Sequence, residues 1–130
     1  MTIRNSRTYD NLLLLKDAAA LTATGAGTVG GTARVIDVGL GRFEGAAVID
    51  ASAVDRTDAN ETYRVAIQGA EAENFATPVE LGSVDVSGAG RGEVRFQNER
   101  GGTLYRYLRA FFTLGGTTPS IAATVYVGKD

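Results

Sequence analysis

Short stretches in which apolar and polar residues alternate run along the chain, separated by glycines and polar turns. The clearest is 62–68, where Tyr63, Val65 and Ile67 fall on one side and Thr62, Arg64, Ala66 and Gln68 on the other, the period of two of a half-buried strand. Residues 34–38 and 46–54 read as two earlier strands. Residues 78–81 and 83–86 are split by Gly82, which predicts one strand with a bulge or corner. Residues 93–97 form the next. The longest run is 104–114, with Leu104, Leu108, Phe112 and Leu114 on one face and Tyr105, Tyr107 and Phe111 on the other, so both faces should be covered, as in a central strand. In 120–127, Ile121, Ala123, Val125 and Val127 alternate with Ala122, Thr124 and Tyr126.

Many short strands with frequent turn signals predict an all-β chain, a single β-sandwich or jelly roll of about eight antiparallel strands. The 17 glycines among 130 residues agree, since glycine weakens helices and suits tight turns. Residues 1–11 are polar with few core candidates. They read as an extended arm that becomes ordered on a partner, ahead of a sandwich domain at 12–130. Residues 12–15 are expected to be an edge strand, and the alanine-rich stretch 17–21 leaves room for a short helical turn.

Charge and absent residues narrow the function. Thirteen basic and fifteen acidic residues give a net charge of -2, which argues against nucleic acid as partner. There is no cysteine and no histidine, which removes disulfides, thiolate chemistry and histidine-based catalytic or metal sites. The expectation is therefore no enzyme, no cofactor and no metal. The apolar run at Leu12–Leu15 stops at Lys16 and Asp17, so neither a signal peptide nor a membrane span is expected.

Three motifs invite sharper readings. Gly25, Gly27 and Gly30 match the glycine spacing of a dinucleotide-binding loop, but a β-type segment follows where a helix is required, so a flexible loop is expected at 24–32. Asp55, Asp58, Asn60 and Glu61 gather oxygen ligands of the kind calcium takes; their spacing fits no known calcium loop, and a solvated hairpin turn accounts for them. Asn60-Glu61-Thr62 is also a glycosylation sequon. The acids Asp50, Glu61, Glu80, Asp85 and Glu93 form no pair that sequence alone can single out for glycoside hydrolysis. Among the basic residues only Lys16 and Lys129 are lysines, and arginine is the cation favoured at interfaces. Arg106 and Arg109 lie inside the aromatic run, where each must be paired, stacked or kept at an edge, in a role of either internal support or subunit contact.

The segment Leu104-Tyr105-Arg106-Tyr107-Leu108-Arg109, then Phe112-Thr113-Leu114-Gly115-Gly116-Thr117, then 121–127, resembles the small capsid cement or decoration proteins of tailed bacteriophages. Tyr9-Asp10 with Leu13-Leu14, the stretch 17–24, and more loosely Thr77-Pro78-Val79-Glu80-Leu81-Gly82-Ser83 are similar to the same family. The resemblance implies a jelly-roll subunit, made in the bacterial cytoplasm, that sits on the outer capsid surface and bridges neighbouring major capsid proteins. It implies no catalytic residues. The expected partners are the major capsid protein and further copies of the chain, a trimer at local threefold positions being favoured over a dimer. Expected contact residues are Ile3, Arg4, Arg7 and Tyr9 in the arm, with Tyr105, Arg106, Tyr107 and Arg109 in the aromatic strand.

Two other classes compete. A carbohydrate-binding sandwich would use exposed aromatics, here Tyr9, Tyr63, Tyr105, Tyr107 or Tyr126 in the absence of tryptophan. A tail or head-completion virion subunit would share the composition and differ in copy number.

Overall fold

The computed structural model describes residues 13–129. The arm predicted at 1–11, with Ile3, Arg4, Arg7 and Tyr9, lies outside the described residues. The strands are β1 (Leu14–Lys16), β2 (Ala20–Leu21), β3 (Gly25–Ala26), β4 (Thr28–Val29), β5 (Thr32–Ala33), β6 (Ile36–Asp37), β7 (Glu44–Val54), β8 (Thr62–Ala70), β9 (Val79–Asp85), β10 (Gly90–Gln97), β11 (Glu99–Arg100), β12 (Thr103–Leu104), β13 (Tyr107–Gly115) and β14 (Ile121–Lys129).

One sheet has the order β1-β14-β7-β10, the other β3-β13-β8-β9, and every pairing is antiparallel. The pairs are nested. β8 with β9 is innermost, β7 with β10 flanks it in the opposite sheet, and β3 with β13 and β1 with β14 close around them, which is the winding of a jelly roll. The short strands β2 and β6 extend the sheets on β14 and β13, while β4–β5 and β11–β12 form small ribbons.

Alternation places the core where the sequence predicts it. Ala47, Ile49 and Ala51 of β7 and Ala123 and Val125 of β14 pack in one cluster with Tyr63, Val65 and Ile67 of β8 and Leu108, Ala110 and Phe112 of β13. Tyr63 also uses its polar end, donating to the Asp55 carbonyl at 2.5 Å and accepting from the Ser120 amide at 3.0 Å, so it ties two loops to the core. Gly82 does mark a bulge. The register steps from Ile67↔Gly82 to Gln68↔Glu80, leaving Leu81 as the extra residue.

Four expectations are corrected. Residues 20–21 are a strand, and no helix occurs at 17–21. The stretch 24–32 is structured: Gly25 and Ala26 pair with β13, and Gly30 and Gly31, at φ 62° and 80°, turn β4 into β5. Such angles suit glycine, so the glycines serve a tight hairpin. Residues 34–38 shrink to β6. The run 104–114 is broken, because Leu104 pairs with Glu99 in a separate ribbon and β13 begins only at Tyr107; the outward face of β13 is then half-exposed instead of covered.

β1 is an edge strand, at Leu14–Lys16 where 12–15 was expected, yet all three of its residues are buried. Val29 of β4 lies over Leu14, Val48 and Tyr126 in a second apolar cluster on the outside of the first sheet. Fully buried Lys16 donates to the carbonyls of Asp17, at 2.5 Å, and Ala19. Burial pushes its ammonium below the ordinary value, with Asp17 partly offsetting the shift.

Asp17 pins the ribbon, accepting from the Gly30 amide at 2.7 Å and the Ala19 amide at 3.1 Å. The Gly30 bond is the main cause that holds its carboxyl below the ordinary 3.8. Hydrogen bonds from Arg106 and Thr57 do the same for Asp37 and Asp55. A carboxyl depressed in the folded state adds stability that is complete above the unfolded-state value and lost as pH falls through the folded one. Stability should therefore decline as pH drops below about 4, and Asp17→Asn should flatten that decline in urea titrations taken across the acid range. An unchanged slope would show that the Asp17 clip contributes nothing to folding.

Candidate interaction site

The outer face of the second sheet follows from the pairing of β13 with β8, which sets Tyr107 beside Ala70, Arg109 beside Gln68, Phe111 beside Ala66 and Thr113 beside Arg64. The two aromatic residues of β13, Tyr107 and Phe111, each lie beside an alanine of β8, so their rings stand up from the sheet. Tyr107, Arg109 and Phe111 are each half-buried.

Arg109 is held from three sides. Its Nε donates to Gln68 Oε1 at 2.7 Å, and its guanidinium carbon lies 4.5 Å from the Phe75 ring centre and 5.3 Å from that of Phe111. Burial pushes its pKa down from the ordinary value. Phe75 comes from the β8–β9 loop and is itself buried, at φ 52°, a backbone region that a bulky side chain rarely occupies. The loop thus crosses the outer face with its ring pressed onto Arg109.

Arg106 takes the paired alternative, with Nε and Nη2 each donating at 2.8 Å to the two oxygens of Asp37 while the cation lies 5.4 Å from the Tyr107 ring centre. Asp37 raises the Arg106 pKa accordingly. Tyr105 leaves the row. It precedes β13 and packs against the core, so the expected sharing of one face by Tyr105, Tyr107 and Phe111 holds only for the last two. The break between β12 and β13 turns it inward.

The row runs toward one end of the sandwich, where the loops β6–β7, β8–β9 and β10–β13 gather. Asn98, fully buried, joins two of them: its Oδ1 accepts from the Phe43 amide at 2.8 Å, and its Nδ2 donates to the carbonyls of Gly41 and Tyr105, both at 3.0 Å. On these loops stand Leu40, 79% exposed, and Leu104, 41% exposed, the large hydrophobic residues found exposed among those described. Sequence reasoning singled out neither Leu40 nor Asn98. For Leu40 a signal existed, an apolar residue between Gly39 and Gly41 outside any alternating segment.

The acidic turn at 55–61 is bonded within itself and to the β13–β14 loop. Asp55 Oδ1 accepts from the Thr57 amide at 2.8 Å and hydroxyl at 2.6 Å, Asn60 bonds Thr117, Asp58 accepts from Thr118 at 2.5 Å, and Glu61 Oε2 accepts from the Asp58 amide at 3.2 Å. Glu61 Oε1 is buried without a hydrogen-bond partner. Among the described residues no group of three or more carboxylates is placed to hold a metal ion. Asp50 and Glu93 lie in the first sheet, Glu80 and Asp85 on β9 of the other, and Glu80 is paired with Arg64 at 3.1 Å.

The sequence matches no family model and no curated protein. A distant likeness is found to the solved CBM22-1–GH10 modules of the N-terminal part of endo-1,4-β-D-xylanase 10B from Clostridium thermocellum, complexed with xylohexaose, at TM-score 0.43 and 12% identity. It covers 95% of this chain and 28% of that one.

Proposed function

We propose that the protein is a structural virion subunit that binds the outer surface of a bacteriophage capsid and cements neighbouring major capsid proteins. The observation that carries the proposal is the row Tyr107, Arg109 and Phe111, half-exposed on a rigid sheet and running toward an end that presents Leu40 and Leu104. Aromatic residues and arginine are what protein interfaces concentrate, and a few such anchors carry most of the binding energy. Other segments of the resemblance have structural work that fits a rigid jelly roll. Gly116, at φ 102°, turns β13 toward β14, and a Cβ there would fall 2.6 Å from the Glu61 Cα.

A cement subunit works by occupying a seam. Several modest contacts made by one oligomer reinforce one another through effective concentration, so each can be weak while attachment of the whole is durable. A trimer suits local threefold positions and a dimer suits twofold ones.

The test is to mix purified protein with undecorated capsids, pellet them, count bound copies and size the free protein by light scattering. Binding at lattice stoichiometry with raised capsid stability is expected. No binding, or a few copies at one vertex, would discard the cement role and favour a tail or head-completion subunit. A carbohydrate-binding role is the second reading, favoured by Tyr107 and Phe111 flanking Arg109 and Gln68 on one sheet face, a surface on which a sugar ring could stack. Saturable glycan-array binding without capsid binding would select it.

A further inference from the structure

We infer that Arg109 is the anchor of the capsid contact and takes a carboxylate side chain from a protruding segment of the shell protein. The inference rests on the cement reading and adds the chemistry of the contact.

The surface arginines around it are spent within the chain: Arg106 on Asp37, Arg64 on Glu80, and Arg42 on Glu44 and Glu99. Arg109 differs. Among the described residues no carboxylate lies within ion-pair distance of it, and its one hydrogen bond, from Nε, goes to the neutral amide of Gln68. The N–H groups of its two terminal nitrogens remain for a planar acceptor, which is how guanidinium takes a carboxylate in two parallel bonds. Among the described residues this partly desolvated cation has no counter-charge, and burial lowers its pKa.

The setting is rigid. The rings of Phe75 and Phe111 flank the guanidinium, Gln68 holds its Nε, and the left-handed backbone of Phe75 persists because the ring is buried where it lies. Strain retained by surrounding packing is a mark of functional sites. The half-exposed rings of Tyr107 and Phe111 beside it can exclude water once a partner is seated, which strengthens a charge-assisted bond.

The shape selects the occupant. The β8–β9 loop brings Phe75 onto the Arg109 guanidinium, so a flat surface meets that loop first, and an incoming carboxylate must approach on the side away from the exposed acids Glu71 and Glu73, which would repel it. A narrow acidic loop or arm of a different protein can reach past the loop.

The test uses the intact protein and undecorated capsids in pelleting titrations, with light scattering and thermal unfolding of the free protein. Arg109→Gln should bind capsids at least about tenfold more weakly, the loss expected for a charged bidentate contact. Arg109→Lys, which keeps charge without the fork, should fall between. Gln68→Glu supplies the missing carboxylate from within; it should raise the unfolding temperature of the free subunit and at the same time weaken capsid binding. A merely structural Arg109 predicts that Gln68→Glu binds like wild type, and that result overturns the inference. So does wild-type affinity in a folded Arg109→Gln. A change in the mass of the free protein, with capsid affinity intact, would assign Arg109 to a second copy instead. Failure of the wild type to bind removes the cement reading and this inference together.

Discussion

Asn98→Ala is expected to destabilise the protein by about 2–4 kcal/mol, because the buried Phe43 amide and two partly buried carbonyls lose their partner at once. The side chain satisfies the Phe43 amide and the Gly41 and Tyr105 carbonyls, in a position with no exposure to solvent. The Phe43 amide can only donate, so it fixes which end of the amide is oxygen. Asn98→Asp should be no milder, since an ionised carboxylate would face the same two carbonyls. Backbone bonds from Asn98 to Phe43 at 3.0 Å and from Tyr105 to Asn98 at 2.8 Å remain in the alanine variant, so the strands should still pair. Urea unfolding checks the result. A loss below about 1 kcal/mol would mean that water takes over the three bonds and that the amide is not what holds these loops.

The second large effect is a contrast between neighbours. Phe112→Ala should cost about 3–5 kcal/mol and Phe111→Ala about 1 kcal/mol or less. Phe112 has no exposure and packs in the centre of the sandwich, so truncation leaves a cavity between two sheets that cannot collapse into it. Phe111 is half-exposed on the outer face, where it loses mainly its contact with Arg109. Its effect should appear instead in capsid binding. Equal costs for the two would show that both faces of β13 are packed, as the unbroken apolar run in the sequence suggests, and would remove the outer row as a docking surface.

That run shows where sequence reading succeeds and where it stops. Alternation in 62–68 and 120–127 reports burial on one side of a strand, and the structure keeps both, adding Gly69 and Ala70 to one and Gly128 and Lys129 to the other. Gly82 announces its bulge because an extra residue in a ladder needs room. In 104–114 apolar and aromatic residues dominate both faces, interrupted by Arg106 on one and by Arg109 and Thr113 on the other, and periodicity alone cannot tell a strand covered on both sides from one that breaks; the break at 105–106 carries neither glycine nor proline. Lys16 and Asn98 escape for another reason. A buried polar residue is defined by the groups that meet it, here carbonyls of Asp17, Ala19, Gly41 and Tyr105, and no pattern along the chain encodes that meeting. Of the candidate site, Arg106, Tyr107 and Arg109 were legible as residues. That Arg106 is spent on Asp37 while Arg109 has no counter-charge among the described residues depends on pairing across the sheet and on a loop that arrives from β8.

The nested pairing also sets an order in time. β14 is the last described strand, yet it lies between β1 and β7 in its sheet. During synthesis the ribosome releases β1 and β7 long before β14 exists, and neither can complete its ladder until residues 121–129 emerge. The inner hairpin of β8 and β9 can pair early, but the sheet around β14 closes only once residues 121–129 are free to pair. Such distant pairings are slow to form and leave apolar edges open meanwhile. The fold therefore matures in one late step, when its last described strand slots between two that were made long before it.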